Sequence, residues 1–352
     1  MPIDPAPVTP AVSCGACGEP ADPDDRFCEA CGQALHDPEP AAAPEPAAAP
    51  ATPAVPCSAC GSGTVGPDGY CDECGRRPAG VDHAEEVLAD PPEGTTGAVV
   101  RAAAVTDRGH RRRRNEDSYA MVRTPAPDGT SRVVAVVCDG VASVPGGATA
   151  SRTACDVAVA AGSDAVTRGE DLEAVAAAAA EAARRAVAAL APGGAGSSPA
   201  CTYVAAALDT EHAVVSWVGD SRAYWLVPGA PEQSGVLTED DSWAAEMVAA
   251  GLVGADDAFD DPRAHVITRW LAADAPDVVA RAATWSLEHD GVLMLCSDGV
   301  WNHIPDPATL ARILDRIPRE AVHDAVRALV QAALDDGGHD NATAVVLAVV
   351  AS

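Results

Sequence analysis

The sequence predicts an α+β protein in which a layered domain of roughly 255 residues follows two small cysteine-rich modules. Short β-rich runs recur from residue 98 onward, and helical stretches are grouped between them. Eight of the twelve cysteines lie within the first 74 residues, in two copies of one pattern. The runs and helices favour a domain of packed sheet and helix layers, whereas the cysteine repeats hold too few large apolar residues to bury a core unaided.

The first element along the chain is the pair of cysteine blocks. Each block reads CxxC, ten residues, CxxC, and the second copy begins 43 residues after the first. This spacing can bring four thiolates to one tetrahedral point, so we predict a structural zinc ion in each block. The predicted ligands are Cys14, Cys17, Cys28 and Cys31 in the first block, and Cys57, Cys60, Cys71 and Cys74 in the second. A redox-active dithiol and a rubredoxin-type iron site are the alternatives.

Composition divides the rest of the N-terminal region. We predict zinc ribbons at residues 1–35 and 55–79, a stiff Pro/Ala linker at 36–54 and an acidic linker at 80–97. Residues 1–97 hold three arginines against seventeen carboxylates, which disfavours nucleic-acid binding by the ribbons. We therefore expect the ribbons to recruit a protein partner.

The strands and helices of residues 98–352 come next. The β-rich runs are AVVRAAAV, RVVAVVCD, YVAAAL, AVVSWVGD, GVLMLCSD and ATAVVLAVV. Helical patterns cover 148–160, 171–190, 240–251 and 306–335, and the last of these is broken at Pro318. Cys138 and Cys296 fall within strand runs, where we expect them to be core residues.

The charge of the chain excludes several classes of function. The formal net charge is −29, from 52 acidic and 23 basic side chains, and every basic one is arginine. Without lysine there is no P-loop lysine, no kinase β3 lysine and no Schiff-base amine. Nucleic acid and anionic membranes are disfavoured as main partners because both are polyanions. The opening MPIDPAPVTP has no signal-peptide pattern and no apolar run could span a bilayer, so we expect a soluble, cytoplasmic protein.

Aspartates recur at the ends of the predicted strands. Asp139, Asp220 and Asp298 follow apolar runs, Asp340 precedes the last run, and the motif NEDS lies upstream at 115–118. A single such aspartate is ordinarily a turn residue. Several in one domain can converge on one cleft, where their repulsion requires a cation. Carboxylate oxygens without convergent His or Cys indicate a hard ion, Mg²⁺ or Mn²⁺.

Six segments of this domain resemble the motifs of one family. RRRRNEDSYA, VVAVVCDG, GDSRAYWL, LTEDDSW, LMLCSDGVWN and GGHDNATAVV occur in the order, and near the spacing, found in metal-dependent protein Ser/Thr phosphatases of the 2C type. The resemblance covers about residues 98–352. It implies two packed antiparallel β-sheets flanked by helices, with a two-metal centre at one edge of the sandwich. The implied reaction is hydrolysis of phosphoserine or phosphothreonine in proteins by a water that two metal ions activate.

The resemblance also implies a role for each motif residue. The implied ligands of two Mn²⁺ or Mg²⁺ ions are Asp139, which bridges them, the Gly140 carbonyl, Asp298 and Asp340. The implied outer ligands are Glu116 and Asp117, through metal-bound water, and Asp220, at a third and weaker ion. Arg112 would bind the substrate phosphate and Asn341 would support Asp340, whereas Arg111, Arg113 and Arg114 are interpreted as solvated surface charge.

Two departures from the family pattern keep a second interpretation open. Val141-Ala142-Ser143 follow Gly140 where the family usually has Met-Gly-Gly or His-Gly-Gly, and Asp241 replaces the histidine of LTxDHS. A histidine general acid after Asp-Gly is also absent. Our leading prediction is an active phosphatase, with a Ser/Thr kinase or its substrates as signalling partners. The alternatives are a weak or inactive domain acting as a phosphoprotein- or kinase-binding adaptor and, disfavoured by the acidic N-terminus, a transcription-associated factor.

Overall fold

The computed structural model describes residues 82–90, 98–190, 198–254, 257–258, 261, 263–275, 278–287 and 291–351, together with the backbone of 12–13 and 20–21. The chain divides into two units, residues 1–53 and 54–352. In the first unit, strand β1 (Val12–Ser13) pairs antiparallel with strand β2 (Pro20–Ala21). The eight cysteines of the predicted zinc ribbons all lie outside the described residues.

The second unit is built from antiparallel strands and helices. Its strands are β3 (His83–Val87), β4 (Ala98–Asp107), β5 (Ser118–Pro125), β6 (Ser131–Cys138), β7 (Tyr203–Leu208), β8 (His212–Val218), β9 (Arg222–Leu226), β10 (Gly235–Val236), β11 (Arg281–Ser286), β12 (Val292–Cys296) and β13 (Ala342–Ala351). Its helices are α1 (Gly147–Thr167), α2 (Leu172–Ala188), α3 (Trp243–Ala249), α4 (Asp298–Trp301), α5 (Pro307–Leu314) and α6 (Val322–Asp335), with a 3₁₀ turn at Pro231–Gln233.

The strands form two sheets that pack face to face. One sheet has the order β11-β8-β7-β6-β5 and the other β10-β9-β12-β13-β4-β3. In β6, Val133 and Val137 belong to the core between the sheets, whereas Val134 and Val136 belong to the core under α1 and α2. Because both faces of this strand are covered, residues 133–138 are apolar throughout instead of alternating with polar residues. Burying each such side chain contributes about 1.5–3 kcal/mol relative to leaving it exposed.

The second helical layer covers the other sheet. Trp301 from α4, Leu310 from α5 and Leu329 from α6 share one core with Met294 and Val346 of the six-stranded sheet. The layer order is therefore helix, sheet, sheet, helix, which confirms the predicted sandwich of two antiparallel sheets flanked by helices. No helix among the described residues is long and apolar enough to cross a membrane.

Most predicted elements are present, with local differences. The predicted break at Pro318 is confirmed, because α5 ends at Leu314 and α6 begins at Val322. Helix α3 is shorter than predicted: Ser242 caps it by accepting a hydrogen bond from the Ala245 amide at 3.3 Å. Strands β5, β9 and β11 are absent from the sequence prediction, because polar residues interrupt or border their apolar residues. Cys138 and Cys296 are buried as predicted.

Strand β3 corrects the predicted linker at 80–97. Residues 83–87 pair with β4 from His83–Asp107 to Val87–Ala103, so part of this segment belongs to the six-stranded sheet. The Glu85 carboxylate lies 2.8 Å from His323 Nε2 of α6 and 3.4 Å from Arg327 Nε. Burial alone would raise the pKa of Glu85, but the contact with His323 and the charge of Arg327 hold it below its ordinary value. The segment HAEEV resembles a linker because it is rich in charged and polar residues. Such residues are also common on edge strands, and β3 is an edge strand.

We expect Ala84→Asp to lower the free energy of unfolding by about 2 kcal/mol, because Ala84 is only 3% exposed and a carboxylate there would be desolvated without a partner. Val87→Asp is the matched control, since Val87 is 55% exposed on the same strand. Urea unfolding of the full chain measures both. Equal, near-zero effects would show that 83–87 is a linker after all.

Candidate metal centre

One cleft at the strand ends collects most of the predicted site residues. Asp139 follows β6 of one sheet and Asp298 follows β12 of the other, so face-to-face packing brings the two carboxylates to the same edge. The cleft has a volume of about 150 Å³. Its lining includes the predicted residues Arg112, Glu116, Asp139, Gly140, Asp220, Asp298, Asp340 and Asn341. Among the residues predicted for the Mn²⁺ or Mg²⁺ centre, all of which the structure describes, Asp117 alone does not line the cleft.

Thr202 fixes the position of Asp139, and the sequence analysis missed it. The Thr202 amide donates to the Asp139 carbonyl at 2.8 Å, and the Asp139 amide donates to Thr202 Oγ1 at 3.0 Å. The same hydroxyl lies 2.7 Å from Ser221 Oγ, beside Asp220. Thr202 thus connects the chain at Asp139 to the turn that carries Asp220. Its place just before β7, as a polar residue at a strand start, was the available signal.

Gly140 is required by close backbone packing. A Cβ at this position would lie 2.5 Å from the Gly147 carbonyl carbon and 2.8 Å from the Glu116 carbonyl oxygen. Helix α1 begins at Gly147, after Gly146 in the left-handed region at φ 92°. The glycines that permit this approach therefore stand at 146 and 147, and Val141-Ala142-Ser143 form a loop before them. That arrangement explains why positions 141–143, directly after Gly140, need no glycine.

Asp340 pairs with the predicted phosphate-binding arginine. Arg112 Nη2 donates to Asp340 Oδ2. This hydrogen bond raises the pKa of the Arg112 guanidinium above its ordinary value. The Arg112 side chain is 43% exposed and lines the cleft. In this structure the arginine and the carboxylate neutralise each other.

Asn341 holds the loop that carries Arg112 and Glu116. Its Nδ2 donates to the Arg108 carbonyl at 2.8 Å and to the Arg114 carbonyl at 3.0 Å. Its Oδ1 accepts from the Glu116 amide at 2.8 Å. One buried amide therefore satisfies three backbone groups of a loop without regular secondary structure. The supporting role predicted for Asn341 is directed to this loop as well as to Asp340.

Asp117 lies behind the cleft. It is 3% exposed, and its Oδ2 accepts a hydrogen bond from Ser297 Oγ at 2.7 Å. Burial raises its pKa to about 8, although hydrogen bonds from Ser297 and Thr343 act in the opposite direction. Its other oxygen has no hydrogen-bond partner. The outer-ligand role predicted for Asp117 stays a prediction.

The carboxylates of the cleft destabilise one another's charge. Burial, followed by the charges of Asp117 and Asp298, raises the pKa of Asp139 well above its ordinary value. Burial and then Asp298 do the same for Asp220. The pKa of Asp298 is raised to about 6, by burial and then by Asp340. Such a cluster stays fully ionised only when a positive charge offsets the repulsion.

The residues present fit a hard divalent cation. Every side-chain donor in the predicted ligand set is a carboxylate, and Asp298 Oδ1 is buried without a hydrogen-bond partner. Among the described residues, no group of three or more His, Cys, Asp or Glu is already arranged to hold a metal ion. The carboxylates border the cleft instead of meeting at one point, an arrangement suited to an ion such as Mg²⁺ that keeps several waters.

Asp241, which departs from the family pattern, has a structural role. Its Oδ2 accepts from the Gly219 amide at 2.9 Å, and its Oδ1 accepts from Arg281 Nη2 at 2.6 Å. These bonds tie the turn before Asp220 to edge strand β11. His265 also lines the cleft, with its ring 5.9 Å from that of Trp301, and no sequence motif pointed to it.

We expect Asn341→Ala to lower the free energy of unfolding by about 2–4 kcal/mol, because it leaves two carbonyls and one amide of the 108–116 loop without a partner. Asn341→Asp should also destabilise the protein, since a carboxylate cannot donate to the Arg108 and Arg114 carbonyls. Urea unfolding and hydrogen exchange of the loop are the measurements. Asn302→Ala, which removes one exposed amide bonded at 3.3 Å to Asp298, is the control and should change little. An Asn341→Ala protein as stable as that control would contradict the role.

Several proteins of known class resemble this chain. It is 31% identical over 142 residues to the serine/threonine phosphatase Stp of Listeria innocua, covering 40% of this chain and 54% of that protein. The match thus spans about half the length of that relative. The crystal structure of the Mycobacterium tuberculosis serine/threonine phosphatase PstP aligns with a TM-score of 0.57 at 28% identity, over 71% of this chain and 98% of that one.

Two further structures share the fold. Stp1 from Staphylococcus aureus aligns with a TM-score of 0.60 at 25% identity, over 74% of this chain and 99% of that one. The catalytic domain of PstP in complex with two manganese ions aligns with a TM-score of 0.57 at 27% identity, over 72% and 99%. The family model described as protein phosphatase 2C matches residues 106–336, more than half of the chain. On this match and on the sandwich fold, the chain belongs to the protein phosphatase 2C family.

Proposed function

We propose that this protein is a metal-dependent phosphatase that hydrolyses phosphoserine and phosphothreonine in other proteins. The observation that carries the proposal is one small cleft in which Asp139, Asp298 and Asp340 lie together with Arg112. Family membership supports it, as do relatives named serine/threonine phosphatases. A cleft of about 150 Å³ suits the phosphorylated end of a side chain, because it is smaller than the usual pocket for a whole cofactor.

The acidic cleft would hold the metal ions. Two Mn²⁺ or Mg²⁺ ions would bind Asp139, the Gly140 carbonyl, Asp298 and Asp340, with Glu116 and Asp117 acting through water and Asp220 at a third ion. When bound, such ions activate water for in-line attack on phosphorus and offset the charge of the phosphate oxygens. The chain's part is to fix these oxygens in place, through the Thr202 bonds to Asp139 and the close packing at Gly140.

Arg112 would orient the substrate. A guanidinium can hold two phosphate oxygens through parallel N–H donors, a geometry that a flexible ammonium does not offer. Arg112 is anchored through Asp340 and partly exposed at the cleft edge, so its free donors can reach a phosphate that enters from solvent. Arg111, Arg113 and Arg114 are exposed, which agrees with their interpretation as solvated charge.

The N-terminal region would recruit a partner. We propose zinc ribbons at residues 1–35 and 55–79, joined by the Pro/Ala segment 36–54, with the phosphatase domain from about residue 98 and β3 added to its edge. The support is the repeated cysteine spacing and the lack of large apolar residues in each block. The expected partner is a protein, such as a Ser/Thr kinase or one of its substrates.

We expect Asp298→Asn to lower turnover of a phosphothreonine peptide by at least about 100-fold with Mn²⁺ present, because it removes a ligand charge from the cleft. Calorimetry should show weaker Mn²⁺ binding, and EDTA should abolish activity of the unmodified protein. Asp128→Asn is the control, since Asp128 is exposed in the turn between β5 and β6, where it bonds Thr130.

Activity that survives EDTA, or an Asp298→Asn protein with full turnover, would contradict the metal mechanism. A protein that binds the phosphopeptide, binds no Mn²⁺ and does not hydrolyse the peptide would instead be the adaptor of the alternative interpretation.

We expect elemental analysis of the full chain to give two zinc ions, and Cys14→Ser and Cys57→Ser each to lower the count to about one. The two substitutions should act independently, since each block has its own four cysteines. Iron in place of zinc, or a disulfide recovered from the reduced protein, would replace the ribbon assignment with one of its alternatives.

A further inference from the structure

Strand β3 begins beside the loop that carries Arg112. Its first residue, His83, lies opposite Asp107, the last residue of β4, and the 108–116 loop follows directly after Asp107. Residues 82 and 83 lie outside the range 106–336 that matches the family model. The start of β3 is therefore a point at which the segment before the matched range meets a loop of the candidate site.

Asp82 contacts Arg108, the first residue of this loop, in two ways. The Arg108 amide donates to the Asp82 carbonyl oxygen at 2.7 Å. The side chains pair as well, with Arg108 Nε 3.4 Å from Asp82 Oδ2. Because water screens an ion pair between exposed side chains, this pair contributes little to stability by itself. Its effect is to hold the Arg108 guanidinium on one side.

The Arg108 side chain spans the turn that leads to Arg112. Its Nη1 donates to the Arg112 carbonyl oxygen at 2.5 Å. Residues 109–111 between them form the turn, with Gly109 in the left-handed region at φ 73°. A guanidinium carries its donors in a planar fork, so one arginine can contact a carboxylate and a carbonyl at the same time. Arg108 thus connects Asp82 to the main chain of the predicted phosphate-binding residue.

His83 and Asp107 support the beginning of the same turn. His83 Nδ1 lies 2.8 Å from Asp107 Oδ2, and Asp107 Oδ1 accepts a hydrogen bond from the Gly109 amide at 2.8 Å. Gly109 has no space for a Cβ, because the Asp340 carbonyl oxygen lies against it. The turn therefore contacts β3 through Asp107 and also packs on the main chain at a predicted metal ligand.

We propose that Arg108 is a positioning residue for Arg112, and that residues 82 and 83 at the start of β3 hold Arg108 and its turn in place. This inference rests on the phosphatase function proposed above. Asn341 binds the carbonyls of Arg108 and Arg114, and Arg108 binds the Arg112 carbonyl that lies between them in the sequence. Binding of a phosphate depends on where the guanidinium is placed, so a loop that moves binds phosphate more weakly.

A second ion pair between the same two segments provides a matched control. Arg101 Nη2 of β4 lies 3.5 Å from Asp90 Oδ2, and the Arg101 side chain is 38% exposed, against 36% for Arg108. Arg101 lies beyond the opposite end of the β3–β4 pairing, which runs from His83 to Val87. Removing either arginine therefore removes a similar exposed pair, but only Arg108 contacts the loop of Arg112.

We expect Arg108→Ala to lower kcat/KM for a phosphothreonine peptide about 3- to 10-fold in the full chain with Mn²⁺, because a hydrogen bond that holds Arg112 is lost. Arg101→Ala should leave kcat/KM unchanged. In a protein that already carries Arg112→Ala, adding Arg108→Ala should lower kcat/KM no further, since Arg108 acts through Arg112. A general structural role would instead give the same factor in both backgrounds.

Hydrogen exchange provides a readout that needs neither metal nor turnover. The amides of Arg108, Gly109 and His110 are each hydrogen-bonded, to Asp82, Asp107 and Gly338. In the full chain they should exchange about 3- to 10-fold faster in Arg108→Ala than in the unmodified protein, and at an unchanged rate in Arg101→Ala. Asp82→Ala should have a smaller effect in the same direction, because its carbonyl still accepts from the Arg108 amide.

Equal kcat/KM in the Arg108→Ala and Arg101→Ala proteins would overturn the proposal. The same factor in the Arg112→Ala background, or unchanged exchange of the three amides, would overturn it as well. An unmodified protein without Mn²⁺-dependent turnover would contradict the phosphatase function instead. The exchange rates would then still decide whether Arg108 and Asp82 hold the loop.

Discussion

The repulsion among aspartates held in one cleft is the constraint on which the rest of this structure depends. Asp139 and Asp298 end strands in different sheets, and packing the sheets face to face brings their carboxylates together. Burial and mutual charge raise the pKa of both. A chain can keep such a cluster fully ionised only if a cation offsets the charge, and it can keep the carboxylates in place only if the backbone around them is held rigidly.

The backbone around the cleft is held by polar contacts between residues of different sequence motifs. Thr202 binds the chain at Asp139 in two directions, and Asn341 holds three backbone groups of the loop before β5. Asp241, bound to Arg281, fixes the Gly219 amide beside Asp220. At each position a buried polar side chain satisfies backbone groups that lie outside the sheets. These contacts hold the backbone beside Asp139, Asp220 and Glu116.

Elements whose sequence pattern has a local cause are predictable from the sequence, whereas elements stabilised by distant residues are not. The apolar runs of β6 and β12 were recognisable because strands covered on both faces are continuously apolar. The segment 83–87 is not recognisable as a strand from its own residues, because the partners of Glu85, His323 and Arg327, lie more than two hundred residues away in the sequence. The outer-ligand role of Asp117 was implied by the family resemblance and stays a prediction. Glu116 lines the cleft, whereas Asp117 is 3% exposed and accepts a hydrogen bond from Ser297.

The sequence by itself determined the layered α+β class, the order of the motifs and the all-carboxylate character of the site, because periodicity and ligand chemistry are properties of residue type. Only the tertiary structure decided which oxygens face the same cleft, which polar residues hold them, and that β3 completes the six-stranded sheet. The physical reason is that burial, repulsion and unfilled space arise only between residues that folding brings together from distant parts of the chain.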